Sequence, residues 1–326
     1  MNRREMLKAG FGSLSAAAAL RVPTARAAEW PTKPIRVIVP YAPGSATDLI
    51  PRTVFEAVST QHGRTIIVDN RTGGGTTVGT NAVAAAEPDG YTILVHSNAL
   101  VTVPAVQAGA HYDPVRDFSG ITPLGNVPLV LIVPPEKKIT SVQQLVAIAK
   151  AKPGSINYAA AGIGTPPHFT AERFRIAAGF EGQLVPFKGA PEALTEVLAG
   201  RVDFYFCPIP VALPVIADGR VLALAVGNAK RASALPNVPT TIEAGFPDSD
   251  FDFWVGAMVP KRTPRDIVAR LHQEIARAVE TASVQEKLAK LGVEPMLMTP
   301  QDFDARIARE TGIAVTRAEA ANIALQ

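Results

Sequence analysis

An α/β fold of two lobes is expected for this chain, and three observations carry the expectation. Short Val- and Ile-rich runs alternate with longer amphipathic runs. The alternation restarts near the middle of the chain. No low-complexity linker or internal repeat separates the halves. Such βαβ alternation implies a mostly parallel sheet wrapped by helices. Two units without a linker imply lobes joined by crossing strands, with a ligand cleft between them that closes by hinge motion.

The elements follow in order. Residues 35–41 read as a buried strand. Residues 48–59 read as a helix with Pro51 in its first turn, where a missing N–H costs little. Residues 65–69 read as the second strand, 77–86 as a helix ended by Pro88-Asp89-Gly90, and 91–95 as the third strand. In the second half, strands are expected at 127–133, 157–160, 183–186, 204–207 and 222–226. Helices are expected there at 141–151, 167–178 and 191–199. A strand at 251–259 precedes helices at 264–281, 283–291 and 300–324, which read as an outer layer. The crossings then fall near 127–133 and 253–258. One lobe comprises residues 28–126 with 256–326, and the other comprises 127–255.

The first 27 residues read as an export signal. A basic head with Arg3-Arg4 precedes a weakly apolar body of Ala, Gly, Ser and Leu, and Ala25-Arg26-Ala27 places small residues where a signal peptidase reads. The paired arginines resemble the twin-arginine signal. A membrane anchor is disfavoured, because the apolar body is too short to span and carries two glycines. Cleavage near Ala27 and a periplasmic location are expected.

Composition narrows the function. The 326 residues carry a net charge of +3, but residues 1–27 hold five basic residues against Glu5, so the remainder is near −1. No basic run favours nucleic acid. An anionic ligand would have to be held by local geometry. Cys207 is the single cysteine, and His62, His96, His111, His168 and His272 are scattered, so no metal-ligand spacing is present and no cofactor is expected.

Three glycine-bearing turns carry the candidate chemistry. Pro43-Gly44-Ser45-Ala46-Thr47-Asp48 joins the first strand to the first helix, at the sheet edge where ligands bind. Free amides at the helix start, with the Ser45 and Thr47 hydroxyls, suit a carboxylate or phosphate. A plain Ser/Thr cap explains the same residues equally well. Asp48 reads as structural, since a carboxylate would repel a bound anion and suits the first helical turn. Gly73-Gly74-Gly75-Thr76-Thr77-Val78-Gly79 lacks the register of a dinucleotide loop and reads as a flexible turn approaching the cleft. Gly162-Ile163-Gly164-Thr165 is the second lobe's counterpart of the first turn. Its glycines admit close backbone approach, Thr165 offers a hydroxyl, and His168 reads as loop support. A hydrolase would need a nucleophile, but residues 28–326 have no Gly-x-Ser-x-Gly elbow, and nothing in the spacing of Ser45, Asp48 and His168 demands a triad.

Several ordered motifs add a resemblance. Pro40-Tyr41-Ala42-Pro43-Gly44-Ser45-Ala46-Thr47-Asp48 with Arg52, Val68-Asp69-Asn70-Arg71 and Pro88-Asp89-Gly90-Tyr91-Thr92 come first. Tyr112-Asp113-Pro114 with Asp117-Phe118, and Gly162-Ile163-Gly164-Thr165 with His168, follow. Val185-Pro186-Phe187-Lys188-Gly189 and Val238-Pro239-Thr240 with Glu243-Ala244-Gly245 complete the set. Together they resemble the Bug receptors, the extracytoplasmic solute receptors of tripartite tricarboxylate transporters. The resemblance implies a two-lobe periplasmic-binding-protein fold of type II character and no catalysis. It implies a small carboxylate ligand, whether a di- or tricarboxylate or an aromatic one. The partners it implies are membrane permease subunits, and the receptor is expected to be a monomer. Carried onto this chain, the ligand loops are Tyr41, Gly44, Ser45, Ala46 and Thr47; Ser97 and Asn98; Gly162, Gly164 and Thr165; and Lys188 with Gly189. Cys207 stands where many members have Asp, which disfavours a ligand with an amino group. Ser45 stands where many have a second Gly. A receptor serving a signalling partner is the second reading, and a secreted hydrolase a distant third.

Overall fold

The computed structural model describes residues 30–325, and the expected signal at 1–27 lies outside the described residues. The chain opens with β1 (Ile35–Val39), α1 (Ala46–His62), β2 (Ile66–Asn70), α2 (Thr77–Ala84), β3 (Thr92–Ser97), the one-turn α3 (Ala99–Thr102) and β4 (Phe118–Asn126). It continues with β5 (Leu129–Val133), α4 (Val142–Ala151), β6 (Ile156–Ala160), α5 (Pro166–Ala178), β7 (Gly182–Pro186), α6 (Ala190–Leu198), β8 (Phe204–Pro208), α7 (Ile209–Ala217) and β9 (Leu222–Val226). It closes with β10 (Trp254–Pro260), α8 (Arg265–Glu280), α9 (Ala282–Lys290), α10 (Pro300–Gly312) and α11 (Ala314–Ala320).

Two five-stranded sheets result, ordered β2-β1-β3-β10-β4 and β7-β6-β8-β5-β9. Each is mixed. The strands within βαβ units are parallel, as in β2-β1-β3 and β7-β6-β8. The strands beside the crossings, β10 and β5, run antiparallel to both of their neighbours. Alternation read along a sequence marks crossover units, but not the strand a chain inserts when it returns from the other lobe.

The crossings are not strands: one is a two-residue turn and the other is the long segment 227–253. The chain passes from β4 to β5 through Val127-Pro128 and returns between β9 and β10. The two passages are bonded side by side where Val127 N–H donates to Phe253 O at 2.7 Å, and Phe251 N–H donates to Gly227 O at 2.9 Å within the returning segment.

Local differences from expectation have physical causes. α1 starts at Ala46, so Pro51 lies in its second turn and leaves the Thr47 carbonyl without its usual helical donor. β4 was not expected, because Gly120, Pro123 and Gly125 break any alternation. It is an edge strand, where proline is tolerated. Its glycines make room for the outer layer. A Cβ on Gly120 would stand 2.7 Å from the Phe303 ring, and one on Gly256 of the neighbouring β10 would stand 2.5 Å from it. Phe303 also meets Trp254 edge-on at 5.2 Å, which seats α10 on the first sheet. α7 was missed because Ile209–Ala217 is apolar on all sides and contains Pro214. The last expected helix divides into α10 and α11 at Ile313. The second lobe is centred on edge-to-face contacts of Phe174 with Phe180, Phe204 and Phe206.

Candidate ligand-binding cleft

The carboxyl ends of the parallel strands of both sheets converge on one cleft of about 640 Å³. Pro40, Tyr41, Thr72–Thr76, Gln107 and Gly109 form one wall. Ala161, Gly162, Ile163, Pro186, Phe187, Lys188 and Glu192 form the other. The lobes touch at its margins. A Cβ on Gly189 would lie 2.9 Å from Ala42 Cβ, and a Cβ on Gly162 would lie 4.0 Å from Gly75 Cα.

The first turn is held by Asp48. Its carboxylate is buried and accepts from Gly44 N–H at 2.9 Å, Arg52 Nε at 2.9 Å and Asn70 Nδ2 at 2.8 Å. Asn70 also donates to the Tyr41 carbonyl at 3.0 Å. Asp48 is therefore the post on which the turn is wound. Ser45 has the backbone of an N-cap, yet its hydroxyl makes no cap bond. Ser45 Oγ is buried with no hydrogen-bond partner among the described residues. Ala46 and Thr47 are buried behind it.

Behind the first wall, Tyr41 Oη and Ser97 Oγ are 2.6 Å apart, and Ser97 Oγ accepts from Ala99 N–H. Burial pushes the Tyr41 phenol well above its usual range, so it stays protonated. Asn98 donates to Asp252 O at 2.6 Å and ties this turn to the returning passage. His96 stacks edge-on against Tyr41 at 5.3 Å, and burial pushes its pKa down to about 3.

The glycine turn forms a short 3-10 turn, Gly74–Thr76, directly ahead of α2. Gly73, Gly74 and Gly75 all have positive φ, and so does Thr76, at 91°. A β-branched residue there is strained by about 1–3 kcal/mol. Thr76 Oγ1 is buried and has no partner among the described residues, although Thr76 O accepts from Thr80 Oγ1. Such an orphaned hydroxyl costs a further ~1–3 kcal/mol.

In the second wall, Gly162 and Gly164 have positive φ, at 109° and 81°. Thr165 was expected to offer its hydroxyl outward. Instead it donates to Gly162 O at 2.7 Å, and the residue is buried at the start of α5. His168 Nδ1 accepts from Gly164 N–H at 3.1 Å, a loop-supporting bond. Lys188 and Glu192 both border the cleft, and Glu192 accepts from Lys188 N–H at 2.9 Å. Gly189 precedes α6 and is buried. Cys207 lies in the second lobe's hydrophobic core beside Val130 and Tyr205, and burial pushes its thiol pKa up. Of the expected residues, Tyr41, Gly162 and Lys188 line the cleft. Thr76 and Gln107 line it without having been singled out. The Thr76 signal was a hydroxyl residue directly after three glycines.

Acid should weaken the fold through two histidines. Burial lowers the pKa of His96 to about 3 and that of His168 to about 4. In the unfolded chain both titrate near ~6.5. Below that pH the unfolded state takes up protons that the folded state refuses. Stability is therefore complete above about pH 6.5 and falls as the pH drops, to about pH 4 for the His168 share and about pH 3 for the His96 share. Urea melts should show a loss of about 3 kcal/mol between pH 7 and pH 5. Equal stability at the two values would contradict the buried neutral rings.

Two αβ lobes joined by paired passages, with a cleft at the strand ends, define a solute-binding protein. The family model described as "Tripartite tricarboxylate transporter family receptor" matches residues 50–317. This chain belongs to that family. It is 32% identical to Protein BugT of Bordetella pertussis over 312 residues, which cover 95% of each chain. It is similar to an R. palustris protein solved with adipate, with a TM-score of 0.88 and 30% identity over 91% of this chain and 100% of that one. It is also similar to MatC of Rhodopseudomonas palustris with bound malate, with a TM-score of 0.82 and 26% identity over 88% of this chain and 99% of that one. No helix among the described residues is long and apolar enough to cross a membrane.

Proposed function

We propose that this protein is a periplasmic receptor that holds a small carboxylate in the cleft and delivers it to the permease of a tripartite tricarboxylate transporter. The observation that carries this reading is the pair of buried hydroxyls without partners, Ser45 Oγ at the start of α1 and Thr76 Oγ1 in the cleft wall. Each lacks a bond that a carboxylate oxygen would supply, and the start of a 17-residue helix favours a negative charge. Relatives solved with adipate and malate support the ligand class. Lys188 adds a cation at the cleft's edge. In this reading Tyr41, Ser45, Thr76, Gly162 and Lys188 meet the ligand or its hydration shell. Gly44, Ala46, Thr47, Ser97, Asn98, Gly164, Thr165 and Gly189 shape the turns behind them. Residues 28–126 with 256–326 move against residues 127–255 about the paired passages. The protein works as a monomer without a cofactor, and fractionation of cells checks its export by residues 1–27.

A thermal-shift screen of mono-, di- and tricarboxylates tests the reading. A ligand at a hundred times its Kd stabilises by about 2.7 kcal/mol. Thr76→Val should weaken binding of the best ligand by roughly tenfold or more, since a hydrogen bond to a charged group is worth about 1.5–3 kcal/mol. A screen in which no carboxylate raises the melting temperature would overturn the proposal.

A further inference from the structure

The second lobe's loop at Gly162–Gly164 is not held by its own lobe alone. Its three successive carbonyls each accept a side-chain hydrogen bond. Gly162 O takes the Thr165 hydroxyl at 2.7 Å, from the same loop. Ile163 O takes Gln107 Nε2 at 2.7 Å, and Gly164 O takes the Thr102 hydroxyl at 2.7 Å. Gln107 and Thr102 belong to the segment between β3 and β4, on the first lobe's side of the cleft.

A trans peptide sets each N–H opposite the preceding carbonyl, so fixing a carbonyl fixes where the next amide points. The plane joining Ile163 to Gly164 is held at both ends. Gln107 donates to its carbonyl, and its N–H donates to His168 Nδ1 at 3.1 Å. Positive φ at Gly162 and Gly164 leaves the loop many alternative conformations once these ties are cut. Gln107 reaches across only because residue 75 has no side chain. A Cβ on Gly75 would stand 2.3 Å from Gln107 Nε2.

We propose that Gln107 and Thr102 are positioning residues that orient the second lobe's loop amides from the opposite lobe, so that closing the cleft and completing the binding loop are one step. The proposal rests on the receptor reading for its ligand, but not for its geometry. Neither side chain needs to touch the ligand. Both set the fraction of molecules whose loop is ready to bind, and a smaller ready fraction lowers every apparent affinity by the same factor.

The test uses the full chain with adipate and malate as probes. Gln107→Leu keeps much of the side-chain volume, cannot donate and adds no charge to the cleft, and Thr102→Val removes the second donor. Each should weaken both probes by one common factor of about five to ten. Thr102→Ser should restore binding. Without ligand, the backbone amide resonances of Ile163 and Gly164 should shift in Gln107→Leu and in Thr102→Val. Weakening of one probe alone would assign Gln107 or Thr102 to the ligand and overturn the proposal. Unchanged amide resonances, or Thr102→Ser as weak as Thr102→Val, would overturn it too. If neither probe binds the wild-type protein, the choice of these ligands fails, while the ligand-free amide resonances still decide whether the two side chains orient the loop.

Discussion

Gly164→Ala should weaken ligand binding at least tenfold and lower the melting temperature. Gly164 has φ at 81°, and a Cβ there would lie 2.7 Å from Val106 Cγ2 and 3.2 Å from Val103 Cγ2. Both valines are fully buried, so neither can swing aside into solvent. The left-handed backbone alone costs an L-residue about 1–2 kcal/mol. The overlap adds to this, and it acts where the two walls of the cleft meet. Gly179→Ala separates the two costs. Gly179 ends α5 with φ at 64°, but its Cβ would find nothing nearer than Lys150 Nζ at 3.8 Å. That variant should lose stability and keep its affinity. Calorimetry and melting curves on both proteins decide, and equal affinities for the two variants would refute a closure role for the close approach at Gly164.

Asp48→Ala should cost about 2–4 kcal/mol of stability and abolish measurable binding. The substitution strands the Gly44 amide, Asn70 Nδ2 and Arg52 Nε around a buried space. Arg52 is half exposed and can turn to water, which keeps the loss below that of a fully buried ion pair. Asn70 Nδ2 keeps its bond to the Tyr41 carbonyl, but the Gly44 amide loses the carboxylate that anchors it, so the Tyr41–Ser45 turn should loosen. Asp48→Asn should be intermediate, because one carboxylate oxygen becomes a donor facing other donors. Urea melts at pH 7 with calorimetry check this. Wild-type affinity in Asp48→Ala would show that the turn is held by something other than this carboxylate.

The family relation and the cleft geometry bear on each other. The first-wall turn uses a hydroxyl at Ser45 and an acid at Asp48, and only the hydroxyl lacks a partner. The acid is consumed by the scaffold, and the hydroxyl is left without a partner among the described residues. At Thr165 the reverse holds, because its hydroxyl hydrogen is spent on Gly162 O. Residues of the same type at matching turns of the two lobes therefore do different work.

The sequence by itself determined the two αβ lobes, the position of nearly every helix and the turns that would border a cleft. These are written in local patterns: Val and Ile runs for strands, amphipathic spacing for helices, and glycines followed by Ser or Thr at helix starts. It also determined that Asp48 and His168 support their loops, since acids suit first helical turns and a lone histidine at a helix start is most simply a bonding partner. Tertiary structure alone decided the rest. β4 is an edge strand only because β10 returns from the other lobe to pair with it. Thr76 Oγ1 is left without a partner only because three preceding glycines and the packing around it bury a hydroxyl that a free turn would give to water. Gln107 and Thr102 meet Ile163 and Gly164 across 56 and 62 residues of chain. No local pattern encodes a partner that distant, because the bond exists only when both lobes have folded and come together.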